Sequence, residues 1–451
     1  MLPCISDGFF GKALWTRVVL PATCTEASIL HAVVALSSAH KSRMCRARGA
    51  WVEQERYTLS SYSKAIQYLQ PLLAEPGQAS SHVVLITCLL FTFLEYARGQ
   101  HRAASIHLRS GLKLLRDLHS ESGKSHHGVL LLKSSRIGRM LDFTVIQCFA
   151  SLHVQADLYG NHLPDVALLL QPLETEMPWP IFSSPAEAKD ALEKLIHGIL
   201  LLSQRVHMAI EGRRDIPCSM IEAQHTAMTH LRTWRQTYTT TDQVRLLPAR
   251  DIQAYKLLLN HHTMATIMSE TLFSPTETVY DDHTTHFVSI VNTTIELWKD
   301  QVQGHTFDSM DIGFDSGWIP PLYYTALKCR THHIRLHAIR LLSALPHREG
   351  VWDSVLAARV ATKIMELEEV RLVPSRLHDV PLDKLPLGIE HDVVSVPEPS
   401  RFCEVAAEVE NSSRVTLTCK QRMCDRTVQI VEYCAFDGYD WRSQHLGPSL
   451  P

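Results

Sequence analysis

Residues 318 to 330 read Trp-Ile-Pro-Pro-Leu-Tyr-Tyr-Thr-Ala-Leu-Lys-Cys-Arg, and residues 335 to 342 read Arg-Leu-His-Ala-Ile-Arg-Leu-Leu. Residues 346 to 360 follow as Pro-His-Arg-Glu-Gly-Val-Trp-Asp-Ser-Val-Leu-Ala-Ala-Arg-Val, and Ile364-Met-Glu-Leu-Glu-Glu369 closes the stretch. Helix-punctuating and charged residues alternate with apolar helical segments, and no catalytic motif interrupts them. Arg348, Glu349 and Asp353 straddle a helix start at Trp352. A carboxylate there meets the positive end of the helix dipole, and Arg348 is placed to pair with a nearby acid. That is a structural network before it is a ligand site.

Outward from this stretch the helical period dominates. Ile29, Val33 and Leu36 share one face, with Thr25 as the expected N-cap and Glu26 in the first turn. Tyr62, Ala65, Ile66, Leu69 and Leu73 recur at helical spacing, with Pro71 and Pro76 marking the exit. Val83 to Tyr96 is apolar on most sides and reads as a central helix ended by Gly99. Ala104, Leu108, Leu112 and Leu115 line the next helix. Five prolines between Gly160 and Pro185 make an internal break. Ser184, Pro185 and Glu187 then form a capping box, followed by the apolar face Leu192, Leu195, Ile196, Ile199 and Leu202. Further helical patterns cover about 216–238, 250–272, 284–300, 321–344 and 352–371. Prolines exclude long helices after Leu372, and two β-rich runs, Arg414 to Thr418 and Thr427 to Tyr433, are spaced as a hairpin. The expected fold is all-α: stacked antiparallel helices over residues 1–372, with the break near 160–185. Residues 373–451 are expected to form a Pro-rich linker and a small irregular or β-containing tail.

The chain has 451 residues, 45% hydrophobic and 20% charged, with a formal net charge of -3. That suits a large folded core and lacks the basic bias of a self-sufficient DNA-binding protein. Eleven dispersed cysteines read as reduced thiols. The longest apolar run, Val83 to Leu94, is too short to span a bilayer, so no membrane partner is expected.

Two sets of residues carry a resemblance. Cys88-Leu89-Leu90-Phe91, Glu95, Arg98-Gly99, Ala104, His107, Gly111-Leu112 and Leu114-Leu115 form the first. Pro321-Leu322, Cys329-Arg330, Arg335, Ala338-Ile339, Leu341-Leu342, Pro346, Arg348-Glu349-Gly350, Trp352-Asp353-Ser354 and Glu368-Glu369 form the second. In this order they resemble the regulatory domain of fungal binuclear-zinc-cluster transcription factors, over roughly residues 9 to 375. Ala32, Ala35-Leu36-Ser37, His40, Tyr62, Ala65-Ile66, Phe182, Glu187-Ala188, Leu231 and Trp234 fit the same pattern. The resemblance implies a nuclear transcriptional regulator or co-regulator working through protein contacts. Its implied partners are other transcription factors or co-regulators, in a homo- or heterodimer, with a small-molecule effector lodged between helices. The alternative is a helical interaction or ligand-binding module with no direct role in transcription.

One departure matters. The family's N-terminal six-cysteine cluster holds two zinc ions through Cys-x2-Cys pairs, and this sequence has no such pair. Cys419, Cys424 and Cys434 come nearest and lack the count. Lys41, Arg43, Arg46 and Arg48 are the best basic cluster, at a helix C-terminus that favours positive charge anyway. Specific DNA binding by these residues alone is therefore not expected. Gly111 is expected to sit where another helix backbone comes close, and His107 to be a hydrogen-bonded core histidine. Gly123-Lys124-Ser125 lacks the leading glycine of a phosphate loop, and no nucleophile elbow or His-Glu-x-x-His occurs. The pairs His126-His127, His261-His262 and His332-His333 cannot each share one helix face. No enzyme is expected, and no catalytic, cofactor-binding or metal-ligating residue is singled out.

Overall fold

The computed structural model describes residues 14–45, 51–74, 78–120, 143–160, 180–212, 215–244, 246–304, 312–313, 317–344, 346–369, 381–384, 396–411, 414–422, 428–436 and 440–444. Gly123-Lys124-Ser125, Arg46, Arg48, Cys424 and most of the proline-rich break lie outside them.

After a π-turn at Leu14–Val19, four long helices follow. They are α1 (Ala27–Cys45), α2 (Trp51–Ala74), α3 (Gln78–Arg98) and α4 (His101–Ser120). The central helix α3 buries Leu85, Ile86, Leu89, Leu90, Phe93 and Leu94 almost completely. By length and composition its segment Ser81–Arg98 could cross a membrane, yet 72% of it is buried inside the protein, as in a core helix. Gly99 (φ 77) ends α3, and Gln100 N–H returns to the Glu95 carbonyl. This left-handed C-cap is what glycine supplies without strain.

α5 (Phe143–Leu158) and α6 (Pro185–Glu211) form the next layer. Ser184 Oγ accepts from Glu187 N–H at 3.3 Å, and the Glu187 carboxylate accepts from Ser183 N–H at 2.6 Å. The capping box is thus present, shifted by one residue on its return bond. α7 (Cys218–Val244), α8 (Ala249–Glu270) and α9 (Thr284–Gly304) continue up and down. Trp234 Nε1 donates to Ala188 O, His262 Nε2 to Leu231 O, and Asn260 Nδ2 to Thr294 Oγ1. These bonds fix three antiparallel neighbours.

The α5–α6 pair runs the other way. Gln147 meets Asp190, Ser151 meets Glu193 and His153 meets His197. Both numbers rise together, so the two helices are parallel. A short connection forces antiparallel packing, but the connection from Tyr159 to Ser184 is long enough to return to the starting end.

The pattern at 321–344 resolves into two helices, α10 (Ile319–Lys328) and α11 (His332–Ala344). Cys329 adopts an extended conformation (φ −79, ψ 122), which breaks the helix and turns Arg330 inward. α12 (Ser354–Glu368) starts after a tiny hairpin of β2 (Arg348–Glu349) and β3 (Trp352–Asp353), with β1 (Ile312–Gly313) alongside β2. The C-terminal β-structure is an antiparallel meander of β4 (Phe402–Asn411), β5 (Arg414–Arg422), β6 (Val428–Phe436) and β7 (Asp440–Gln444). The expected hairpin is the β5–β6 pair. Phe402, Ala407, Val409, Leu417 and Cys419 join the same hydrophobic core as the helices, so the sheet is packed onto the helical body.

Three local expectations are corrected. Thr25 does not cap α1; its hydroxyl donates back to Ala22 O at 3.4 Å. Helix α2 runs through Pro71 to Ala74, and Ile66 and Leu73 face solvent. Its buried face is Thr58, Ser61, Ala65 and Leu69, because small side chains let α1 come close; Thr58 Oγ1 reaches Ser38 Oγ at 2.7 Å. Gly111 is required by an aromatic ring and not by a backbone, since a Cβ there would lie 2.3 Å from Phe149.

Candidate functional site

The stretch from Trp318 to Glu369 assembles two buried charge centres. In the first, the Glu368 carboxylate is sealed from solvent between two guanidiniums. Arg335 Nη2 approaches at 2.6 Å and Arg330 Nη2 at 3.0 Å. Glu368 Oε1 also accepts from Phe402 N–H at 2.7 Å, which pins the start of β4. Arg330 adds Phe402 O at 3.0 Å and Glu277 at 3.1 Å; Arg335 Nε donates to Ala326 O at 2.7 Å. Burial pushes the Glu368 carboxyl up, but Arg335 and Arg330 outweigh it and hold it below the usual carboxylate range.

In the second centre, Arg348 Nε donates to Asp353 Oδ2 at 2.8 Å, and Asp353 Oδ1 caps α12 through Val355 and Leu356 N–H at 3.1 Å. Arg348 Nη1 donates to the Tyr96 and Ala97 carbonyls, completing the C-terminus of α3. The Glu349 carboxylate takes the Gly317, Trp318 and Ile319 N–H groups at 2.8 to 3.1 Å, an anion seated at the start of α10. His347 Nε2 bonds the same carboxylate at 2.8 Å. Gly350 (φ 56) lets the turn approach Gln155, whose Oε1 accepts from Val351 N–H at 3.1 Å. Burial, and the Arg348 charge after it, push His101 down to about 4, so it sits neutral beside this centre. Arg348, Glu349 and Asp353 are therefore brought together as expected, and every one of them is committed to holding backbone.

Among the described residues, clefts open between helices at α11–α12 and at α7–α8. One, of about 500 Å³, lies between α11 and α12, lined by Leu336, Ile339, Thr362, Met365 and Leu382, with Arg340 among its polar residues. The other, about 300 Å³, lies between α7 and α8, with Arg232, Arg235, His262 and Glu270 among its walls. The first is largely apolar and half open to solvent.

The remaining residues singled out in the sequence are scattered. His107 Nε2 meets Tyr62 Oη at 2.8 Å and is a core histidine. His261 bonds Gly317 O while its neighbour His262 bonds Leu231 O, on different sides of α8. Burial raises the Cys88 and Cys419 thiols to about 12 and Cys329 to about 11, which leaves them protonated and poor nucleophiles. One convergent group was not anticipated: His153 and Asp157 of α5 with His197 of α6. Its one sequence signal was the His-x3-Asp spacing.

Comparison with known proteins agrees with this picture. A family model described as the fungal specific transcription factor domain matches residues 2–237. The aspercryptin biosynthesis cluster-specific transcription regulator atnN of Emericella nidulans is 21% identical over 440 aligned residues, covering 78% of this chain and 69% of that protein. No solved structure matches.

Proposed function

The chain belongs to the fungal specific transcription factor domain family, and on that premise we propose that it regulates transcription as a partner-dependent regulator. The observation that carries this is the family match across residues 2–237. Family and relative are regulators of transcription and not enzymes. The buried charge centres give the helical body one fixed shape, as a docking platform for another transcription factor or co-regulator requires. The apolar α11–α12 cleft is the place for a small-molecule effector. The nucleus is the compartment where such a protein works. By likeness to atnN, a cluster-specific regulator, its targets form a biosynthetic gene cluster. Residues 1–372 are the regulatory body, and 373–451 supply the sheet fastened to it.

Deletion of the gene followed by transcript profiling is expected to change a contiguous set of biosynthetic genes, and a tagged chain to accumulate in nuclei. An unchanged profile with a nuclear-excluded protein would leave only the interaction-module reading. In a gel-shift assay at physiological salt, these 451 residues are expected to show no sequence-specific affinity for DNA. A salt-resistant, sequence-selective shift would place the DNA-reading function within them.

A further inference from the structure

We propose that His153, Asp157 and His197 form a zinc-class metal site that ties α5 to α6. His153 and Asp157 are one helical turn apart on α5 and so share a face. His197 comes from α6, and one donor atom from each of the three lies within 4.8 Å of the others. All three side chains are buried. The His153 and His197 rings meet edge to face at 85°, with centroids 5.6 Å apart. His153 Nδ1 and Asp157 Oδ2 are 3.2 Å apart. Bonds of about 2.0–2.1 Å to a tetrahedral zinc place neighbouring donors about 3.3 Å apart, so this pair already has the required spacing.

A salt bridge needs only two groups. A second imidazole with a ring nitrogen within 4.8 Å of both other donors supplies a third ligand position. Two imidazoles and one carboxylate suit zinc, cobalt or nickel, and do not suit calcium or magnesium, which take oxygen donors. Burial makes this a structural site, with water or a small anion as the fourth ligand. Its position gives it a task. α5 and α6 are parallel and joined by a long connection, so no tight turn sets their register. A bridging ion would fix it, beside the Ser151–Glu193 and Gln147–Asp190 bonds.

The test uses the full chain, stripped with chelator and titrated with Co²⁺ as a spectroscopic stand-in for zinc. One equivalent is expected to give the intense visible bands of four-coordinate cobalt, displaced by zinc, and zinc is expected to raise Tm. His197→Ala and the near-isosteric Asp157→Asn are expected to weaken binding by at least about a hundredfold, beyond the usual effect of changes outside the ligand set. His225→Ala, at an exposed position on α7, is expected to titrate like the wild type. Folded wild-type protein that takes up no stoichiometric metal overturns the proposal. So do unchanged bands in folded Asp157→Asn.

Discussion

The α1–α4 layer and the segment from α10 to α12 are both helical and both buried, yet they are held in different ways. The first uses long helices packed through apolar and small side chains, with Leu89, Leu90, Ala104 and Leu108 at zero exposure. The second uses short elements that change direction at Cys329 and at Gly350. Its joints are ionic: Arg330 and Arg335 on Glu368, Arg348 on Asp353, Glu349 on three N–H groups. Long helices offer enough repeated contact for packing to set register. Short elements do not, and here directional bonds to charged groups set it instead.

The largest effect should come from unpairing a buried charge. Arg335→Ala leaves Glu368 without its closest cation and is expected to cost about 3–5 kcal/mol in denaturant unfolding. If it costs no more than an exposed substitution, the ionic account of the second region fails. In the apolar layer, Leu89→Ala is expected to cost about 2–5 kcal/mol through the cavity it leaves. Gly111→Ala drives a methyl group into the Phe149 ring and is expected to cost about 1–3 kcal/mol. Lys256→Ala removes a solvent-facing pair with Glu296 and is expected to change stability by less than about 1 kcal/mol.

Acid sharpens the same contrast. Burial lowers His262 from 6.5 to about 4, so the fold keeps it neutral. A depressed histidine contributes stability that is full above pH 6.5 and is lost as pH falls toward 4. Glu368, held below its ordinary value, likewise loses its contribution as pH falls through its folded value. Unfolding free energy measured from pH 7 to 4 is expected to decline, and His262→Asn to flatten the upper part of that decline.

Much of this was readable in advance, and unevenly. The faces of α4 and α6 followed from apolar spacing because their buried residues are the apolar ones, Leu108, Leu112, Leu192 and Ile199 among them. α2 follows that spacing only in part, for the opposite reason. It buries Thr58 and Ser61 beside Ala65 and Leu69 and exposes Ile66 and Leu73, so counting apolar residues finds part of the face and rotates the rest toward solvent. The 321–344 pattern stayed periodic across a break that only Cys329's backbone reveals. β4 escaped notice because Glu404, Ala406 and Ala407 dilute its alternation. The Arg348–Asp353 pairing was legible from spacing around a helix start, whereas Arg330, Arg335 and Glu368 meet across a turn that spacing does not describe. The parallel α5–α6 seam depends on where a long connection returns, which no local pattern encodes.

Arg348 completes the end of α3 from about 250 residues further along the chain. On a ribosome adding about 5–20 residues per second, that guanidinium follows its carbonyl partners by roughly 10–50 seconds. Helix α3 is the centre of the α1–α4 layer, so this layer emerges with only its local Gly99 cap, before the guanidinium reaches the Tyr96 and Ala97 carbonyls. The region matched by the family model, residues 2–237, passes through the same interval before its clasp exists. The long-range clasp on α3 therefore forms only after the hairpin at Arg348–Asp353 has left the exit tunnel.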